Sequence, residues 1–296
     1  IGRPVKFHGT RGQEGNEQAI EIMTQAAQQA GFLQVEFLEE PIAAAYQIER
    51  TLDKQTNVLV ADIGGGTTDI CCITLSPDKQ SNLNRQQDVL SVTGARLGGM
   101  ECDKNLIIKS IAPTMGRGLL MRNGLPVPPT YYASVDDIPK LNHFFSEEYW
   151  LDIAQTKSDV KEPKLLARLL TVQEDKLSAR LVNSSRLAKE MLSSKDSITL
   201  PLHYVEQDYD VNIDIEALKS SMQPWLSRVK GLVKECLQNS AQEPEMLFIT
   251  GGMSLSPVVR KELGEVMLPH LPLMQGDAFN SVCEGLAIQA AKLTTC

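Results

Sequence analysis

The chain has 296 residues, 42% of them hydrophobic and 22% charged, which is about two domains' worth at ~150 residues each. That balance excludes a disordered chain, a collagen-like chain and a small disulfide scaffold. With Lys+Arg 29 against Asp+Glu 37 the net charge is -8, so the surface is expected to repel nucleic acid and anionic lipid.

Taken in chain order, Ile1–Phe7 reads as a strand end and His8–Gly15 as a Gly-rich polar loop. From Asn16, a candidate N-cap, apolar residues recur at helical spacing to Ala30, and Gly31 is a natural stop. Val35–Leu38 reads as a short strand, and Pro41 opens a helix from Ile42 to about Leu52. Asn57–Asp62 and Ile70–Leu75 are apolar, β-branched runs separated by Ile63-Gly64-Gly65-Gly66-Thr67-Thr68-Asp69, a hairpin whose tip is mostly bare backbone. Gly98-Gly99 precedes a helical stretch over Lys104–Ile111. Residues 113–164 are rich in proline and aromatics and read as a loop-rich insertion with local helix.

Helical periodicity resumes over Leu165–Leu192, followed by strands at Ser197–Tyr204 and Tyr209–Ile213. Ile215–Gln238 is a long amphipathic helix, interrupted or restarted near Pro224. Met246–Thr250 is a buried strand ending in Gly251-Gly252, with a helix over Pro257–Met267 and a last one over Asn280–Leu293. Strands alternating with helices argue for an α/β protein. No apolar run approaches the ~18 residues of a membrane span. The six cysteines (Cys71, Cys72, Cys102, Cys236, Cys283 and Cys296) contain no C-x-x-C pair and read as small buried hydrophobes in a reducing compartment, hence a cytoplasmic protein. The four histidines have no metal-ligand spacing.

The strongest chemical signal is Asp62-Ile63-Gly64-Gly65-Gly66-Thr67-Thr68-Asp69. Three glycines let a backbone turn approach a phosphate with no Cβ in the way. The hydroxyl of Thr67 or Thr68 can donate to a phosphate oxygen, and Asp62 and Asp69 can hold Mg²⁺ through its waters, because that ion dehydrates reluctantly. A lone triple glycine also suits an ordinary hairpin tip; two aspartates and two threonines beside it favour phosphate. The turn at Gly251-Gly252, between a buried strand and a helix, is a second place for a nucleotide to lie, so the two turns read as two walls of one cleft.

Val58–Asp69 resembles the second phosphate motif of the actin-like ATPases, and within them that of the seventy-kilodalton heat-shock (DnaK-type) chaperones. Glu40-Pro41-Ile42-Ala43-Ala44-Ala45 is similar to that family's lobe-crossing segment, and Arg96-Leu97-Gly98-Gly99 to its Leu-Gly-Gly turn. Phe248–Gly252 with Pro257 is similar to its adenosine motif, and Asn280–Ala291 to its second crossing helix. These motifs run in family order from one end of the chain to the other, and the opening Ile1–Pro4 with the long insertion most resembles the YegD-type branch.

The resemblance implies an actin-like (ribonuclease H-like) fold, mainly its second lobe, with an inserted α+β subdomain. Residues 1–56 would be the remainder of the first lobe and a crossing helix, 57–103 and 212–296 the second-lobe core, and 104–211 the insertion with its family-specific loop 113–164. It further implies that ATP or ADP binds with Mg²⁺ and acts as a conformational switch. Glu40 would position the attacking water, and Asp62 and Asp69 would serve the metal. Thr67 would meet the γ-phosphate, while Gly64, Gly65, Gly66, Thr68, Gly99, Gly251, Gly252 and Met253 would line the nucleotide. Arg186, Lys189 and Ser193 fall on the family's adenine helix, where Lys189 and Ser193 match in type and Arg186 and Glu190 do not.

Leu255 stands where the family has a purine-stacking arginine and Phe279 where it has an aspartate; Phe279 or Arg186 could stack on the base instead. Unfolded client proteins or co-chaperones are the implied partners, with no nucleic acid and no membrane. The alternatives are a non-catalytic scaffold on the same fold and a sugar-kinase-like phosphotransferase. No Asp-x-Gly-Thr turn precedes residue 40, and the chain opens at Ile1 in a strand end. It is therefore expected to be a fragment that does not by itself turn over ATP at a useful rate. If Cys296 is the true end, no client-binding module follows it, and the aromatics of Tyr131–Trp150 would be either a partner surface or a local mini-core.

Overall fold

A computed structural model describes residues 1–7, 12–82, 84–133 and 138–294. In chain order its elements are β1 (Gly2–Arg3), α1 (Gly12–Gln29), β2 (Leu38–Glu39), α2 (Glu40–Glu49), β3 (Thr56–Ile63), β4 (Thr68–Leu75), β5 (Val89–Ala95) and α3 (Gly99–Leu106). Then come α4 (Thr130–Ala133), α5 (Ile138–Phe144), α6 (Glu147–Ser158), α7 (Pro163–Glu174), α8 (Ser178–Met191), β6 (Ser197–Pro201) and β7 (Asp210–Asp214). The last are α9 (Ile215–Asn239), β8 (Met246–Thr250), α10 (Pro257–Arg260), β9 (Leu273–Gln275) and α11 (Ser281–Thr294). The chain divides into two compact units, Ile1–Gly99 with Trp225–Cys296, and Met100–Pro224.

The first unit is built on a five-stranded sheet of order β5-β4-β3-β8-β9. β3, β4 and β5 form an antiparallel meander, whereas β8 and β9 run parallel to β3. β3 and β4 are buried along almost their whole length, as expected of a strand pair covered on both faces. Helix α2 lays Ile42, Ala45, Tyr46 and Ile48 on Val58, Val60, Cys71, Ile73 and Leu75. Helix α11 packs against α2 so closely that a methyl group at Gly285 would fall 1.7 Å from the Ala43 carbonyl oxygen. Only glycine fits that crossing. The far end of α2 is anchored by a buried ionic cluster: Glu49 accepts from Arg85 at 2.7 Å and 2.9 Å, and Asp88 accepts from both Arg85 and Lys79.

The second unit is mainly helical, with the β6–β7 hairpin burying Ile198, Leu200, Val211 and Ile213 on one face. The rings of Tyr131, Phe144 and Tyr149 pack edge to face around buried Tyr132 and Ile153, and Trp150 Nε1 donates to Glu174. These aromatics form a mini-core, with residues 134–137 outside the described residues.

Several elements differ from expectation. α1 begins at Gly12 and not Asn16, because the Asn16 side chain accepts from the Phe7 amide at 2.7 Å and caps nothing. Residues 8–11 of the expected loop lie outside the described residues, as does Cys296. Helix α9 runs unbroken through Pro224, with Met222, Trp225, Leu226 and Val229 buried on either side of it. β9 was not anticipated, being three half-exposed or exposed residues after Pro272. Cys71, Cys72, Cys102 and Cys236 are buried free thiols, but Cys283 is exposed on α11. Among the described residues no helix is long and apolar enough to cross a membrane.

Candidate functional site

Pairing register sets four residues in a row across the sheet. Thr250 on β8 faces Asp62 on β3, Asp62 faces Asp69 on β4, and Asp69 faces Gly94 on β5. Two like charges opposite one another in a ladder are destabilising without a cation between or beside them. Both are buried, with 7% of Asp62 and 1% of Asp69 exposed. Burial first, then the charges of Glu40 and Asp69, push the Asp62 carboxyl up to about 7. Burial likewise pushes Asp69 up to about 6, against the Val5 amide and the Thr67 hydroxyl, which pull it down. Glu40, at the first turn of α2, is also raised by burial.

The row lies at the carboxyl ends of the parallel strands β3 and β8, where α/β sheets place their ligands. Three glycines close around it, two in turns and one in β5. Gly251, at φ +81°, sits so near the end of β3 that a Cβ there would fall 2.5 Å from the Ile63 carbonyl oxygen and 2.7 Å from Asp62 Oδ1. Gly98 approaches the hairpin tip so that its Cβ would fall 2.2 Å from the Gly65 carbonyl oxygen. Gly94 leaves room for the Asp69 carboxylate, since a Cβ there would lie 2.3 Å from Oδ1. Sequence reasoning missed Gly94 and saw Gly98 only as half of a glycine pair; what each position requires comes from cross-strand and cross-turn neighbours, which no local spacing announces.

Gly65 and Gly66 at the tip are exposed, Thr67 is half-buried, and Thr68 is buried with its hydroxyl donating to the Leu97 carbonyl. The Gly64 amide donates to the Thr67 carbonyl at 2.9 Å and the Gly99 amide to the Gly64 carbonyl at 3.0 Å. The expectation that these two amides, and the Thr68 hydroxyl, face a phosphate is thereby corrected: each closes the turns on themselves. Gly252 opens a short helical turn, and Met253 beside it is buried.

In the second unit Arg186 donates to Glu190 at 2.6 Å, Lys189 pairs with buried Asp103 at 2.8 Å, and the Ser193 hydroxyl donates to the Lys189 carbonyl. The first of these is the i,i+4 pairing of an ordinary exposed helix.

The residues present fit a hydrated divalent cation. Asp69 Oδ2 is shielded from solvent and has no hydrogen-bond partner. Glu40 raises the proton affinity of both Asp62 and Asp69, and Asp69 adds to that of Asp62, a concentration of negative charge that suits a cation. Among the described residues no three His, Cys, Asp or Glu side chains are arranged to grip a metal directly. A cation here would be held through its own waters, the usual habit of Mg²⁺.

Comparison with known proteins divides along the chain. Residues 14–107 match the family model of MreB/Mbl proteins and residues 160–295 that of Hsp70 proteins. The chain is 26% identical over 291 residues to the chaperone protein DnaK of Mycoplasma mobile, covering 94% of this chain and 39% of that one. It is 22% identical over 281 residues to the chaperone protein dnaK1 of Prochlorococcus marinus, covering 93% and 34%. Over 83 residues it is 34% identical to the cell shape-determining protein MreB of Escherichia coli, covering 28% and 21%. The chain thus spans less than two fifths of the length of these DnaK relatives.

Proposed function

We propose, for a chain that belongs to the Hsp70/actin-like ATPase family, that it is the nucleotide-binding part of a DnaK-like chaperone that binds and hydrolyses ATP as a conformational switch. The observation that carries this reading is the Asp62–Asp69 pair, buried and directly opposed where the glycine turns meet. Asp62 and Asp69 would hold Mg²⁺ through its waters, and the ion would neutralise the charge of a triphosphate. Gly65, Gly66 and Thr67 would face the terminal phosphates with backbone and hydroxyl donors. Glu40 would orient the attacking water, its raised proton affinity suiting it to hold that water's hydrogen. Gly251, Gly252 and Met253 would bear on the nucleoside; the resemblance alone assigns Arg186, Lys189 and Ser193 to the base, and each is engaged within its own unit.

Residues 57–103 and 212–296 would form the second-lobe core, 104–211 the inserted subdomain and 1–56 the remainder of the first lobe. The matches to Hsp70 and MreB models favour this reading over a scaffold without nucleotide or a sugar kinase. Client proteins or co-chaperones would be its partners. The four buried free thiols suit the reducing cytoplasm.

Titration of ADP into the chain by calorimetry, with Mg²⁺ and with a chelator, tests the reading. Binding should tighten at least about tenfold with Mg²⁺, and Asp62→Asn should abolish that dependence. ADP affinity that ignores both the metal and the substitution would overturn it.

A further inference from the structure

One large aromatic stands exposed beside the glycine turns. Phe279 is 76% exposed, and its Cε1 lies 3.8 Å from the place a Cβ on Gly252 would take. Its ring is free, but its backbone is fastened. The Asp277 carboxylate accepts from the Phe279 and Asn280 amides at 2.9 Å and 3.0 Å, and the Asp277 carbonyl accepts from the Thr250 hydroxyl at 3.0 Å. The Gly276 amide donates to the Ile249 carbonyl at 2.9 Å. Arg260 Nη1 donates to the Ser254 and Leu255 carbonyls at 3.0 Å and 3.1 Å and reaches Gln275 Oε1 at 3.4 Å. That arginine ties the segment carrying Gly252 and Leu255 to the one carrying Phe279.

Of the side chains these two segments turn outward beside Gly252, Leu255 and Phe279 are apolar, and the exposed polar ones, Gln275, Asp277 and Asn280, are already hydrogen-bonded. Leu255 is 47% exposed and Phe279 more so. Ser254 is fully buried, Asp277 is occupied in capping α11, and Gln275 faces Arg260. A ring on a fastened backbone next to a bare Gly-Gly turn offers a planar ligand a face to lie on, and these two segments present no unengaged polar side chain to read its edge. Every nucleobase has such a face, so recognition by stacking tolerates the identity of the base.

Resting on the nucleotide reading of the Gly251–Gly252 turn, we infer that Phe279 is a specificity-determining residue. It forms a shelf on which the base of a purine nucleotide stacks, and adenine and guanine nucleotides are accepted about equally.

Calorimetric titration of the full chain with ADP, GDP and pyrophosphate, each with Mg²⁺, tests this. ADP and GDP should bind the unaltered chain within about threefold of one another. Phe279→Ala should weaken both about tenfold, with pyrophosphate moving less than about twofold. Phe279→Trp should keep nucleotide affinity, and its added emission should be quenched by ADP and not by pyrophosphate. Unchanged ADP affinity in Phe279→Ala, or a preference above about tenfold for one base, overturns the shelf while the phosphate site stands. If Phe279→Ala loses its cooperative melt, the tryptophan variant decides, and an unquenched signal overturns the inference. If the unaltered chain binds none of the three ligands, the phosphate reading fails and the shelf falls with it.

Discussion

Asp62 and Asp69 show how a site is maintained at the expense of the fold around it. Each carboxyl is buried, faces the other across a hairpin, and is raised above its ordinary value. The folded chain therefore keeps protons that the unfolded chain releases above pH 4. The associated stability is full below about pH 4 and is lost as pH rises towards 7. Asp62→Asn removes that loss, so at pH 8 the ligand-free variant should gain on the order of 1–2 kcal/mol in chemical denaturation while losing its Mg²⁺-dependent ADP binding. A variant less stable than the parent at pH 8 would contradict this electrostatic account. Gly94 belongs to the same balance. Gly94→Ala must push the Asp69 carboxylate aside and should cost about 1–3 kcal/mol, whereas Gly65→Ala, open on every side, should change stability by less than about 0.5 kcal/mol. Thermal melts of the two variants make the comparison.

Among elements, the pair α2 and α11 depends on a backbone-to-backbone crossing at Gly285, and on the ionic anchor at the end of α2. Arg85→Met leaves Glu49 and Asp88 in a buried setting with their shared partner gone, and should destabilise by about 3–5 kcal/mol in a urea titration. A cost below about 1 kcal/mol would mean that the cluster is better solvated than its burial indicates. Elements of this kind differ in how legible they are. The β3–β4 hairpin could be read because two β-branched runs flank a glycine tip, and the phosphate signal sits on that same local stretch. The Arg85–Glu49 pair spans 36 residues and leaves no local trace. Gly94 looks like any strand glycine until register sets it against Asp69. The course of α9 through Pro224 was obscured for a different reason: flanking buried side chains override a residue that breaks isolated helices. Motif glycines were visible as residues, but which of their amides the turns consume internally was not.

For the whole molecule, acids are shifted in both directions: Asp62 and Asp69 are raised but Asp88 and Asp277 lowered in the first unit, and Asp103 is raised in the second. In the first, the raised acids favour low pH. In the second, Glu206 is held down to about 2 by hydrogen bonds from Arg168 and Lys164. A depressed carboxyl contributes stability above its unfolded value, and that contribution is lost as pH falls from about 4.5 towards 2. Acidification should therefore loosen the Glu206 contact with Arg168 and Lys164 on α7, by a small amount because Glu206 is screened by solvent. Hydrogen exchange followed by mass spectrometry at pH 3 and pH 7 reads this, and unchanged protection of α7 at pH 3 would refute it. The crowded acids also impose a stoichiometry on the proposed ligand. At neutral pH the empty row retains part of a proton, and a cation arriving with its nucleotide must expel it. Complex formation should then liberate a fraction of one H⁺ to the medium. The heat recorded would accordingly differ between phosphate and Tris solutions by that fraction of their ionisation enthalpies.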